Sequence, residues 1–86
     1  MYYTYVLKSK LNGRLYTGST SDLRKRLKQH NDGKSTFTKR DKPYELIYYE
    51  ACISENDARS RELQLKSGIG KRYLKNRLRS FLSQTG

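Results

Sequence analysis

Tyr2-Tyr3-Thr4-Tyr5-Val6-Leu7-Lys8, followed after Asn12-Gly13 by Arg14-Leu15-Tyr16-Thr17-Gly18, is the stretch that decides the fold. Aromatic and β-branched residues suit a pleated, half-buried surface, and Asn-Gly supports the positive φ angles of a tight turn. The stretch therefore predicts an antiparallel β-hairpin that brings Tyr5 close to Tyr16.

Working outward, Ser21 or Asp22 can accept the free N–H groups that open a helix carrying Leu23, Arg24, Arg26, Leu27 and His30 and ending near Asn31-Asp32-Gly33. Leu23 and Leu27 form its buried side. Residues 34–43 are polar, basic and long for a connection, the composition of a functional loop. Phe37 in that loop either stacks on an unpaired base or pins the loop to the body, and the pin is the simpler reading. Tyr44 to Ala51 predicts a third strand, and Ser54-Glu55-Asn56-Asp57 starts a helix that runs to about Lys66, with Ala58, Glu62 and Leu65 on one face.

Ser67-Gly68-Ile69-Gly70 breaks the chain, after which Leu74, Leu78, Phe81 and Leu82 repeat as i, i+4, i+7 and i+8, the pattern of a closing amphipathic helix. The expectation is an α+β fold, a small three-stranded antiparallel or mixed sheet flanked by helices in the order ββαβαα, as one domain over residues 1–86.

Nineteen Lys and Arg against eight Asp and Glu give a net charge of +11, a field that gathers phosphate backbones. Nucleic acid is the expected partner. No apolar run approaches the roughly 20 residues that span a bilayer, and the first residues lack the features of a signal peptide, so the reading is cytoplasmic with no membrane partner. One cysteine, Cys52, and one histidine, His30, cannot assemble a zinc cluster, and Cys52 reads as a small buried hydrophobe.

Phosphodiester hydrolysis takes a positioned nucleophile, positive charge on the phosphate oxygens and usually a divalent metal on a carboxylate. Tyr5 and Tyr16 are candidates to orient or deprotonate water. Arg26 and His30, four apart on one helix, offer a guanidinium and an imidazole together. Glu62, among Arg59, Arg61 and Lys66, offers a hard oxygen ligand for magnesium or manganese. Each also has a plain reading, as core tyrosine, solvated helix face or i,i+4 ion pair.

Together these residues resemble the GIY-YIG nuclease family, whose two short motifs lie on neighbouring strands ahead of a helix bearing an essential arginine. Tyr3-Thr4-Tyr5 is similar to the first motif, with Tyr3 in place of the usual glycine. Tyr16-Thr17-Gly18, continuing through Ser19-Thr20-Ser21-Asp22-Leu23-Arg24-Lys25-Arg26-Leu27, is similar to the second and carries the more specific signal. The resemblance implies that Arg26 is the helix arginine, His30 the histidine that follows it and Glu62 the glutamate that binds Mg2+ or Mn2+. Ser19 departs from the lysine common in the excision-repair branch, and Asn76 matches the family's late asparagine only loosely.

Glu62-Leu63-Gln64-Leu65-Lys66 and Gly68-Ile69-Gly70-Lys71 look like the short stand-alone members, which resemble the N-terminal nuclease domain of the bacterial excision-repair incision subunit. The implied activity is endonucleolytic cleavage of DNA rather than RNA, in repair or recombination, by a monomer or weak dimer. In the implied mechanism Glu62 holds the ion, Tyr16 or Tyr5 positions water and helps take its proton, Arg26 steadies the phosphate, and His30 assists proton transfer or phosphate contact. Lys34, Lys39, Arg40 and Lys42 of the loop, and Lys71 and Arg72 of the last helical region, are candidates for backbone contacts. The rival readings are a non-catalytic module binding DNA or RNA, and a structural protein of a ribonucleoprotein.

Overall fold

The computed structural model describes residues 1–36 and 38–84, so Phe37 lies outside the described residues. Three strands, β1 (Tyr2–Ser9), β2 (Leu15–Thr20) and β3 (Tyr44–Cys52), form one sheet in the order β2-β1-β3. Both pairings are antiparallel. With β1 in the middle, its two faces are both covered, which is why Thr4, Tyr5, Val6 and Leu7 are all buried in succession instead of alternating.

Helix α1 (Leu23–Asn31) packs Leu23 and Leu27 against Tyr5, Leu7 and Tyr44 on one face. Of the two capping residues the sequence offers, Asp22 serves, its side chain accepting from the Lys25 N–H at 3.1 Å. On the other face, Val6 meets Leu65 of α2 (Glu55–Lys66) and Leu74 of α3 (Gly68–Arg77), with Ile47, Tyr48 and Leu78 closing the cluster. Register slips once between β1 and β3, at Val6/Leu7.

Three details differ from the sequence reading. The hairpin is joined by a five-residue connection, 10–14, rather than a two-residue turn, with Gly13 at φ 78° and the Ser9 hydroxyl accepting from the N–H groups of Leu11 and Asn12. The closing helix is in two pieces, α3 and α4 (Arg79–Gln84), separated at Leu78 with φ −108° and ψ 22°. The bend keeps Leu78 on the core while Phe81 turns beneath the Lys8 ammonium, 5.7 Å from the ring centre. Ser67 alone breaks α2 from α3, because Gly68-Ile69-Gly70 is already helical and the Ser67 hydroxyl accepts from the Gly70 N–H. Gly70 permits the tight crossing, since a Cβ there would stand 2.0 Å from the Gln64 carbonyl oxygen.

Cys52 is half-buried and its thiol donates to the Ser54 carbonyl at 3.3 Å. On the far side of α2, Arg61 donates to both oxygens of Glu50 at 2.9 and 3.0 Å, and Tyr48 donates to the same carboxylate at 2.7 Å. This network ties α2 to β3. No helix among the described residues is long and apolar enough to cross a membrane.

Candidate active site

Because β2 is an edge strand, side chains from the two faces of the sheet can approach each other around its free side. Tyr5 stands opposite Gly18 and Leu7 opposite Tyr16, so the two tyrosines are diagonal neighbours on the α1 face, ring centres 6.5 Å apart. A Cβ at residue 18 would lie 2.5 Å from the Tyr5 hydroxyl and 2.7 Å from its Cζ. The glycine of Tyr16-Thr17-Gly18 is therefore a packing requirement of the Tyr5 ring.

Leu23, Leu27 and His30 fall on one face of α1 at i, i+4 and i+7, and that face meets the sheet. His30 is 0% exposed, with its Nε2 at 2.9 Å from the Tyr5 hydroxyl and its Nδ1 at 2.7 Å from the Thr38 hydroxyl. The rings of Tyr16, Tyr5 and Tyr44 surround it edge-on at 5.0, 5.8 and 6.2 Å. Burial, helped by the charge of Arg26, pushes the imidazole down to about 4, so it is neutral at neutral pH. A neutral imidazole has one donor and one acceptor, so it receives a proton from one of its two hydroxyl partners and gives one to the other.

Arg26, one turn before His30, remains at the rim. Its Nη1 donates to Gln29 Oε1 at 3.0 Å, and it lines a shallow pocket with Thr20, Ser21, Asp22 and Lys25. Thus the two residues that the helix spacing pairs are divided by depth, and His30 connects to the rim through Tyr5. Burial raises the Tyr5 phenol to about 12, while interaction with Arg26 opposes the rise and Tyr16 and Glu62 add to it. Arg26, Tyr16 and Glu62 thus all lie near enough to act on the Tyr5 phenol.

Glu62 arrives from the opposite face. The Thr4 hydroxyl donates to the Ala58 carbonyl at 2.8 Å, fixing α2 on the sheet, and one turn later Glu62 reaches the β2 edge. Ser19 donates to Glu62 Oε1 at 2.8 Å, and Lys66 donates to Oε2 at 2.6 Å. Lys66 also lies 6.0 Å from the centre of the Tyr16 ring. The i,i+4 ion pair of the plain reading is therefore present at Glu62, with Lys66 as its partner.

Among the described residues no group of three or more His, Cys, Asp and Glu comes together. A half-buried carboxylate oriented by a serine suits magnesium or manganese in the mode where water and substrate phosphate fill the rest of the shell. Glu62 would hold such an ion, exchanging its bond to Lys66 for it.

The loop candidates Lys34, Lys39, Arg40 and Lys42 are all exposed, and Lys39 and Lys42 flank Gly33 at the end of α1. Lys71 lines a groove between β2 and α3, whereas Arg72 is exposed outside it. Sequence reasoning passed over Ser19, Gln29, Thr38 and Lys66 as members of the site. Spacing alone flags Lys66 and Gln29, at i+4 from Glu62 and i+3 from Arg26. Thr38 carries no local signal, because only the tertiary fold brings the loop to His30.

A phenol, a guanidinium and a carboxylate near one strand edge are the kinds of group that can act on a phosphate ester. Residues 1–75 match the family described as the GIY-YIG catalytic domain, and the chain belongs to that family. That domain is a nuclease domain, so phosphodiester hydrolysis and a nucleic-acid substrate are the general chemistry of the family. The relatives are small. A UPF0213 protein of Bacillus pumilus is 40% identical over 72 residues, spanning 83% of this chain and 72% of that protein. The UPF0213 protein SSP2268 of Staphylococcus saprophyticus is 36% identical over 75 residues, 86% of this chain and 90% of that one. The solution NMR structure of the UPF0213 protein BH0048 from Bacillus halodurans matches with a TM-score of 0.53 and 34% identity, covering 88% of this chain and 84% of that one.

Proposed function

We propose that this protein is a metal-dependent DNA endonuclease that recognises backbone and shape rather than base sequence, with residues 1–86 as one nuclease unit and Tyr5, Tyr16, Arg26, His30 and Glu62 as its working set. The observation that carries the reading is the meeting of Tyr5, Tyr16 and Arg26 from the α1 face with Glu62 from the α2 face around the free edge of β2. Glu62 is the residue that would hold a divalent ion, which when bound would lend positive charge to the phosphate and acidity to a water.

The two tyrosines differ in what they can do. Tyr5 is 1% exposed and its phenol is raised to about 12, so it stays protonated and serves as a positioning group between His30 and Arg26. Tyr16 is half-buried at the edge beside Lys66 and can meet solvent. In hydrolysis the water oxygen bonds to phosphorus as the bond to the leaving oxygen breaks. Tyr16 orients that water and relays its proton to bulk solvent, Arg26 holds the non-bridging oxygens, and the leaving oxygen takes a proton from solvent. His30 acts through Tyr5. DNA repair or recombination is a fitting setting for such an enzyme.

The test is cleavage of labelled single-stranded, duplex and branched DNA and of RNA in Mg2+ or Mn2+, against Glu62→Ala, Arg26→Ala and an EDTA control. Cleavage in the native chain, falling at least about a hundredfold in each variant while binding survives, supports the reading. Binding with no cleavage of any substrate overturns it in favour of a non-catalytic nucleic-acid-binding module.

A further inference from the structure

Beside Tyr16 the surface opens into a groove of about 490 Å3 between β2 and α3. Its floor is lined by three leucines, of which Leu15 is 42% exposed and presents its side chain, while Leu65 and Leu74 are buried and close the groove from the core side. Its rim is cationic, with Arg14 at one end and Lys71 and Lys75 along α3, none of which forms an ion pair among the described residues. Lys66 and Tyr16 line the groove and belong to the cluster at Glu62 as well, so groove and candidate site are continuous.

The composition selects its occupant. Phosphates alone need the cations and gain nothing from an aliphatic floor, and an uncharged apolar ligand leaves three cations unanswered. A nucleotide whose base is unstacked satisfies both, with a flat apolar face and a flanking chain of negative charge. Bases in duplex DNA are stacked and turned inward, so a duplex reaches the floor only by flipping a base out.

We propose that this groove holds an unpaired nucleotide of a single strand next to the reacting phosphate, its base against Leu15 and its neighbouring phosphates on Arg14, Lys71 and Lys75. The inference rests on the nuclease reading for the position of the reacting phosphate. Binding itself is independent of cleavage and is measured in EDTA, so failure of either idea is seen separately.

The experiment is fluorescence anisotropy with single-stranded thymidine oligomers of DNA and RNA, the same DNA length as duplex, and a backbone of abasic sites carrying equal charge. Expected are single strands bound more tightly than duplex or abasic chain, and the charge-neutral Leu15→Asn weakening the single strand by about tenfold with little effect on the abasic chain. Lys71→Ala and Lys75→Ala, at exposed helix positions that keep the fold, each lower the slope of log affinity against log salt for single strands by about 0.7. A preference for one sugar identifies which single strand is bound, and either preference supports the groove. Equal affinity for abasic and thymidine chains, or equal loss on both from Leu15→Asn, overturns the proposal. So does concentration-dependent self-association abolished by Leu15→Asn, because a second copy then covers the groove.

Discussion

Lowering the pH below neutral tests the interior of the site without any substrate. His30 is the chain's sole histidine, and imidazole is the side chain whose ordinary value lies just below neutrality. Folded, it is enclosed by Tyr5, Tyr16, Tyr44 and Thr38 with Arg26 nearby, and its value is depressed from 6.5 to about 4. Unfolded, it takes up a proton with the ordinary value. The sign follows from linkage: above 6.5 neither state is protonated and stability is full, whereas below it the unfolded chain gains a proton that the folded chain refuses.

Stability is therefore lost as pH falls from 6.5 toward 4, at a slope approaching 1.4 kcal/mol per pH unit, the limit for one proton. At about pH 5.5 the loss is close to 1.4 kcal/mol, and a domain of this size changes its melting temperature by about 4–8 °C per kcal/mol. Urea denaturation at a series of pH values reads it directly. His30→Gln, which keeps a donor and an acceptor but does not titrate, flattens the dependence between about pH 7 and 5 while lowering stability throughout. Native stability that holds constant or rises from pH 7 to 5.5 refutes the reasoning, since the imidazole then accepts its proton in the folded state.

Gly18→Ala forces a Cβ into the Tyr5 hydroxyl and costs about 1–3 kcal/mol in thermal melts, with cleavage falling at temperatures where the fold persists. Gly68 and Gly70 form an internal control: a Cβ at Gly68 meets nothing within 4 Å, so Gly68→Ala stabilises by about 0.5–1 kcal/mol. Gly70→Ala drives into the Gln64 carbonyl and Leu65 backbone and lowers the denaturation midpoint by more than any other single-methyl change named here. Arg61→Met leaves Glu50 to Tyr48 alone; with both partners about 31% exposed the loss is only about 1 kcal/mol, measured by urea titration, and cleavage is unchanged because Arg61 faces β3.

The strands and the first two helices were legible because short-range chemistry fixes them: aromatic and β-branched runs for β1 and β3, and Asp22 and Ser54 as caps. The break at Leu78 was not, since Leu74, Leu78, Phe81 and Leu82 keep helical spacing across it and the bend answers to Lys8 on a distant strand. Within the site, Tyr5, Tyr16, Arg26, His30 and Glu62 were singled out, and the structure brings their elements to one strand edge. What the sequence obscured was depth. Leu23, Leu27 and His30 share the helical spacing that marks a buried face, a signal hidden by the habit of placing histidine on the surface. Ser19, read as a departure from a lysine, turns out to orient the carboxylate.

The arrangement explains why a chain with so small a core can hold a reactive cluster in place. The chain Thr38–His30–Tyr5 runs inside the α1 layer and is neutral, so burial costs it little once each hydroxyl and ring nitrogen is paired. The charged members, Arg26, Glu62 and Lys66, stay at the rim, where water and each other offset their desolvation. Gly18 joins the two sets, because the missing side chain lets the Tyr5 hydroxyl reach past β2 toward the charges without opening the sheet. A larger core could bury the whole cluster and tune it by desolvation. In this protein the edge strand divides a buried, neutral half from a solvent-exposed, charged half, the division that the proposed roles require.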